Sequence, residues 1–101
     1  MDFVGLNNLV LRAKSGFSPI VARVSFPKIT QDGDWLCLVQ IVGLEKSGKF
    51  RVYGADSFQA MQLGMRTLLD IIHTSPEQMR GEILIKDMMG GTEILDLDSL
   101  R

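Results

Sequence analysis

The chain of 101 residues holds one cysteine, one histidine, one tryptophan, one tyrosine and three prolines, and each scarcity removes a class of protein. With Cys37 alone there is no intrachain disulfide and no cysteine-rich metal site. Cys37 and His73 form the only thiol and imidazole pair available. Neither lies in a cysteine-enzyme signature. Cys37, in an apolar run, reads as a small buried hydrophobe, and His73, in a last helical turn, as a charge complement to the helix end. No apolar stretch approaches the roughly 18 residues of a membrane span. The opening M-D-F-V-G-L-N-N has an acid where a signal peptide has its basic region,. The expectation is a cytoplasmic protein with no membrane partner. Seven aromatics and a net charge of −1 argue against a nucleic-acid partner,. Tyr53, beside Lys49 and Arg51, is the one place where a base would stack.

The sequence does contain enough apolar material for a core. Hydrophobic residues make up 46% and mean hydropathy is +0.14, values of a packed globule, so a single α+β domain over residues 1–101 is expected,. Charge is unevenly spread. Residues 1–53 carry seven Lys/Arg against four acids, whereas residues 54–101 carry four against eight, which reads either as an ordinary mixed surface whose halves differ or as a C-terminal docking face for a basic protein partner,.

Four strand-like runs precede one helix. The first is Leu6 to Ala13, with Leu9, Leu11 and Ala13 on one face, ending at K-S-G. In the second, Pro19 to Phe26, the inward residues Ile20, Ala22, Val24 and Phe26 alternate with Val21, Arg23 and Ser25. Pro27 breaks the ladder and Asp32-Gly33 turns the chain. The third, Trp35 to Leu44, is apolar on both sides, with Trp35, Cys37, Val39 and Ile41 opposite Leu36, Leu38 and Val42. Such a strand belongs at the centre of a sheet with both faces covered, by the C-terminal hairpin or by a second copy in a homodimer. After Ser47-Gly48, Phe50 and Val52 face in while Lys49, Arg51 and Tyr53 face out. Short loops favour an antiparallel four-stranded meander.

Asp56 is a good N-cap and Gln59 closes a capping box. Phe58, Met61, Met65, Leu68, Leu69 and Ile72 then form an apolar stripe that predicts a helix from Ser57 to Ile72 or His73, stopped by T-S-P and laid on the sheet. Gly64 near that stripe costs about 1 kcal/mol of helix propensity and implies close approach to a strand. Ser75 caps a short second turn, with Pro76 at its first position and Gly81 ending it. Glu82–Lys86 and Glu93–Leu97, around Gly90-Gly91, read as a C-terminal β-hairpin, with a helical turn over Ile94–Leu100 as the competing reading.

Few motifs invite chemistry. Asp56 and Ser57 at a helix start read as a cap, since the aspartate already fills the place an anion would take. Asp96-Leu97-Asp98-Ser99 lacks the glycine and the bidentate glutamate of a calcium loop. Gly90-Gly91 lacks the following lysine of a phosphate loop and reads as a turn; Met88 and Met89 beside it read as core filling. No catalytic, cofactor or metal residue is assigned on these grounds.

The stretches W-L-C-L-V-Q-I-V-G (35–43) and Y-G-A-D-S-F-Q-A-M-Q-L (53–63) resemble a family of small bacterial proteins of unknown function. Their shared pattern is W-x-C, a strand, a hairpin and G-x-D-S-x-Q-A opening a helix. Some members resemble immunity-type proteins that bind and block a toxin in the cytoplasm. The lack of a convergent polar set, the acidic C-terminal half and the compact sheet-plus-helix unit point to a non-enzymatic protein-binding module, and the resemblance suggests an immunity-type inhibitor as its concrete form. The matching positions Trp35, Cys37, Gly54, Asp56, Ser57 and Gln59 carry no functional role from it. A small-ligand-binding domain or weak enzyme, with a pocket between helix and sheet, is the alternative.

Overall fold

The computed structural model describes residues 3–6, 9–13, 16–86 and 92–94. In chain order its elements are β1 (Phe3–Leu6), β2 (Leu9–Ala13), β3 (Gly16–Pro19), β4 (Val21–Ser25), β5 (Lys28–Ile29), β6 (Trp35–Val42), β7 (Gly48–Gly54), α1 (Ser57–His73), α2 (Pro76–Met79), β8 (Ile83–Lys86) and β9 (Thr92–Ile94). The α+β architecture, the antiparallel meander and the C-terminal hairpin are all present. In the main sheet β1 pairs with β4, β4 and β5 pair with successive halves of β6, and β7 pairs with β6 along its length. The β8–β9 hairpin pairs with β2, and β2 with β3, to make a second sheet.

The first two runs are longer than the alternation indicates, and each is interrupted. Leu6 pairs with Ala22 and Val10 with Pro19, so one arm has an extra residue between those pairs. A one-residue excess bends a ladder. The expected single strand Leu6–Ala13 is therefore two strands serving different sheets. Residues 7, 8, 14 and 15, the last two in the expected K-S-G turn, lie outside the described residues.

A second offset lies at Pro27, which cannot donate to the ladder. Val24 pairs with Val39, but Lys28 pairs with Leu36. The Leu38 N–H, left without a backbone acceptor there, donates to Ser25 Oγ at 2.8 Å. This corrects the alternation at its end: Ser25, expected outward, is buried, and Phe26, expected inward, is exposed. The extra residue reverses which side chains face the core. Beyond it, Gly33 takes a positive φ in the turn to β6.

β6 occupies the middle of the main sheet. Cys37, Val39 and Ile41 are fully buried under α1, together with Ala22 and Val24 of β4. Helix α1 begins where the sequence indicates. Asp56 Oδ1 accepts from Gln59 N at 2.7 Å, and Gln59 Oε1 accepts from Ala55 N at 2.6 Å, one residue before the cap. It ends at His73, where Thr74 N donates to Asp70 O.

The stripe is where sequence and structure part. Ala60, Gly64, Leu68 and Ile72 are the buried residues of α1. Met61, Leu69 and Ile71 pack at the margin of the core. Phe58 is 77% exposed and Met65 48% exposed, so neither is the anchor its apolarity suggests. The seam is centred on the smallest side chains because the helix lies close to the sheet. A Cβ on Gly64 would come within 3.0 Å of Val24 Cγ1 and 3.1 Å of Cys37 Cβ. One on Gly54 would meet the backbone of Ala60. Contact at that range excludes water from the seam and makes Leu68 and Ile72 worth about 1.5–3 kcal/mol each in burial.

Candidate functional site

The residues singled out for chemistry do not converge. Cys37 has no exposure, faces Gly64 in mid-helix, and burial pushes its thiol pKa up. His73 is exposed in the last turn, nine residues further along, a rise of about 13 Å at 1.5 Å per residue,. The thiol and imidazole are not brought together. The same tight seam leaves no room for a ligand between α1 and β6 at Gly64. Asp56 is occupied as a cap. Asp96, Asp98, Ser99, Met88, Met89, Gly90 and Gly91 lie outside the described residues, as do positions 95–97 of the expected last strand. Among the described residues no group of three His, Cys, Asp or Glu side chains is placed to hold a metal ion.

What the structure does assemble is the face of the main sheet turned away from α1. Register places on it Phe3 and Gly5 of β1, Val21 and Arg23 of β4, Lys28 of β5, Leu36, Leu38, Gln40 and Val42 of β6, and Lys49, Arg51 and Tyr53 of β7. Gln40 lies between Arg23 and Lys49, Leu38 beside Arg51, and Leu36 between Lys28 and Tyr53. Arg23 is held in place: its Nε donates to Gln40 Oε1 and its guanidinium sits 4.1 Å from the centre of the Phe3 ring, a cation over an aromatic face. Lys28, Lys49, Arg51 and Tyr53 are exposed, whereas Leu36 and Leu38 are half-buried between them.

This face corrects the expectation that the C-terminal hairpin covers the second side of β6. The C-terminal hairpin extends the second sheet instead of covering the main one, and Val42 stays 46% exposed. Among the described residues four cations share the outer face with no acid. Their potential adds rather than cancels, which attracts a negatively charged surface. Sequence reading identified Lys49, Arg51 and Tyr53 as outward. It missed Arg23 and Lys28 as their neighbours; the two-residue period does place Arg23 outward, but Lys28 reaches this face only through the offset at Pro27, which alternation does not report.

Three acids of the C-terminal half serve local structure. Asp56 caps α1, and Glu82 pairs with Arg80 at 2.8 Å. Glu77 is buried: its Oε2 accepts from Glu45 N at 2.6 Å and so ties α2 to the loop between β6 and β7. The side chains of Asp87, Glu93, Asp96 and Asp98 lie outside the described residues.

The pattern of W-x-C strand, hairpin and capped helix lies inside residues 7–94, which match a sequence family described as a domain of unknown function, DUF6968. The chain belongs to that family. The DUF6968 match runs from residue 7 to the end of β9 and so takes in both helices and every strand but β1. No curated protein and no solved structure gives a significant match. Among the described residues of this DUF6968 chain, no helix is long and apolar enough to cross a membrane.

Proposed function

We propose that the chain is a non-enzymatic protein-binding module that holds its partner on the outer face of the main sheet. The observation that carries this reading is the composition of that face: among the described residues, Arg23, Lys28, Lys49 and Arg51 without an acid, set around Leu36, Leu38 and Tyr53. Leu36 and Leu38 lie half-buried between the cations. Interfaces combine apolar and aromatic anchors with charges that match the partner's potential. The partner that fits is a protein with an acidic surface, in place of the basic one suggested by the charge of the C-terminal half. An immunity-type inhibitor, which silences a toxin by covering it, is the concrete form, supported by the resemblance of residues 35–43 and 53–63. The burial of Cys37 supports the non-enzymatic part of the reading.

The test is co-purification from native cells of the wild-type chain and of the double variant Lys49→Glu/Arg51→Glu. Wild type is expected to bring down an acidic protein at low salt and to lose it as salt rises. The variant, with unchanged circular dichroism and urea midpoint, is expected to come alone. Recovery of the wild-type chain alone at every salt concentration overturns the proposal. Stacking two outer faces sets cations against cations, so sedimentation of the isolated chain is expected to show a monomer.

A further inference from the structure

The outer face ends at β7, and β7 has a second unused capacity. Leu38 N points toward β4, because it reaches Ser25 Oγ there. Backbone groups alternate in direction along a strand, so Leu36, Leu38 and Gln40 address β4 and β5 while Trp35, Cys37, Val39 and Ile41 address β7. Their partners Gly54, Val52, Phe50 and Gly48 therefore bond to β6. The N–H and C=O groups of Lys49, Arg51 and Tyr53 point the other way, to the free edge. Among the described residues no strand pairs with that edge.

This edge lacks the usual structural protections. The β6–β7 register is unbroken from Trp35 with Gly54 to Ile41 with Gly48, so no bulge twists β7 away, and β7 contains no proline,. Its guards among the described residues are Lys49 and Arg51. Both stand on the outer face, and they repel a cationic strand while attracting an anionic one. Pairing with a second copy about Arg51 would set Arg51 against Arg51, and about Phe50 would set Lys49 against Arg51.

We infer that β7 takes up an extended acidic peptide segment by strand addition, its alternate Asp or Glu side chains lying beside Lys49 and Arg51 and the intervening apolar ones beside Phe50 and Val52. Main-chain bonds supply the attachment and the alternation supplies the selectivity. The inference rests on the proposed outer-face docking and names its mode and partner chemistry.

The probe is an end-capped synthetic peptide of alternating Glu and Val, compared with one of alternating Lys and Val and with a Glu-Val peptide N-methylated at every second amide. The protein is the full chain, followed by amide hydrogen exchange and fluorescence anisotropy. At saturating Glu-Val peptide the amides of Lys49, Arg51 and Tyr53 are expected to exchange at least about tenfold more slowly. The Lys-Val and N-methylated peptides are expected to leave them unchanged. Lys49→Glu/Arg51→Glu is expected to reverse the preference. Equal binding of the two charge types, or binding of the acidic peptide without protection of those amides, overturns strand addition; in the second case outer-face docking still stands. A peptide-free chain that sediments as a dimer with the amides of Lys49, Arg51 and Tyr53 already protected would assign the edge to a second copy and overturn it as well.

Discussion

At the scale of single residues, the fold depends on two glycines whose role is absence of volume. Gly54 has an ordinary backbone conformation, yet an added Cβ would lie 2.8 Å from Ala60 Cα and press on helix backbone that has no rotamer to yield. Gly54→Ala is therefore expected to cost about 1–3 kcal/mol, read as a lower urea midpoint at unchanged slope. Cys37 gives a second test. Its thiol pKa is raised in the native state by burial from a reference of 9.0, so the thiol contribution to stability is complete below pH 9.0 and is lost as pH rises from there through the higher native value. Cys37→Ala is expected to remove that alkaline loss. A thiol reagent is expected to label Cys37 only as fast as the protein opens. The burial of Cys37 was legible from its place among Trp35, Val39 and Ile41. The burial of Ser25 was not, because it follows from a ladder offset that side-chain alternation does not report.

Among elements, α1 shows what periodicity can and cannot give. Its start at Ser57 and its end at His73 could be read from Asp56, Gln59 and T-S-P, since caps are local chemistry,. Its phase could not, because apolarity selects Phe58 and Met65, whereas the seam is fitted around Ala60 and Gly64. Close approach favours small residues at the line of contact and moves large ones to its flanks. Substitutions should sort accordingly. Leu68→Ala and Ile72→Ala are expected to cost about 2–5 kcal/mol each, whereas Phe58→Asp and Met65→Lys should stay within about 0.5 kcal/mol of wild type. Urea unfolding of the four variants checks the order, and a large loss for Phe58→Asp would return that ring to the core. Asp56→Ala is expected to cost about 1 kcal/mol through the lost cap.

For the molecule as a whole, the sequence conveyed the meander and the C-terminal hairpin, both built from neighbours in the chain. It did not convey that the hairpin would join β2, because pairing between residues 9–11 and 83–85 leaves no mark on either segment alone. Nor did it convey that an uncovered cationic face would result. That face exists because the early arm is used twice: β1 and β4 lie in the main sheet, while β2 and β3, continuing the same two lines of chain, lie in the second. Ile20, between β3 and β4, is buried and donates its N–H to Leu9 O at 3.1 Å. A ribbon common to both sheets acts like a rivet through two plates. Neither plate can lift without loosening the other, so amides of β8 and of β4 are expected to acquire deuterium at matching rates near the unfolding midpoint, although those strands belong to different sheets.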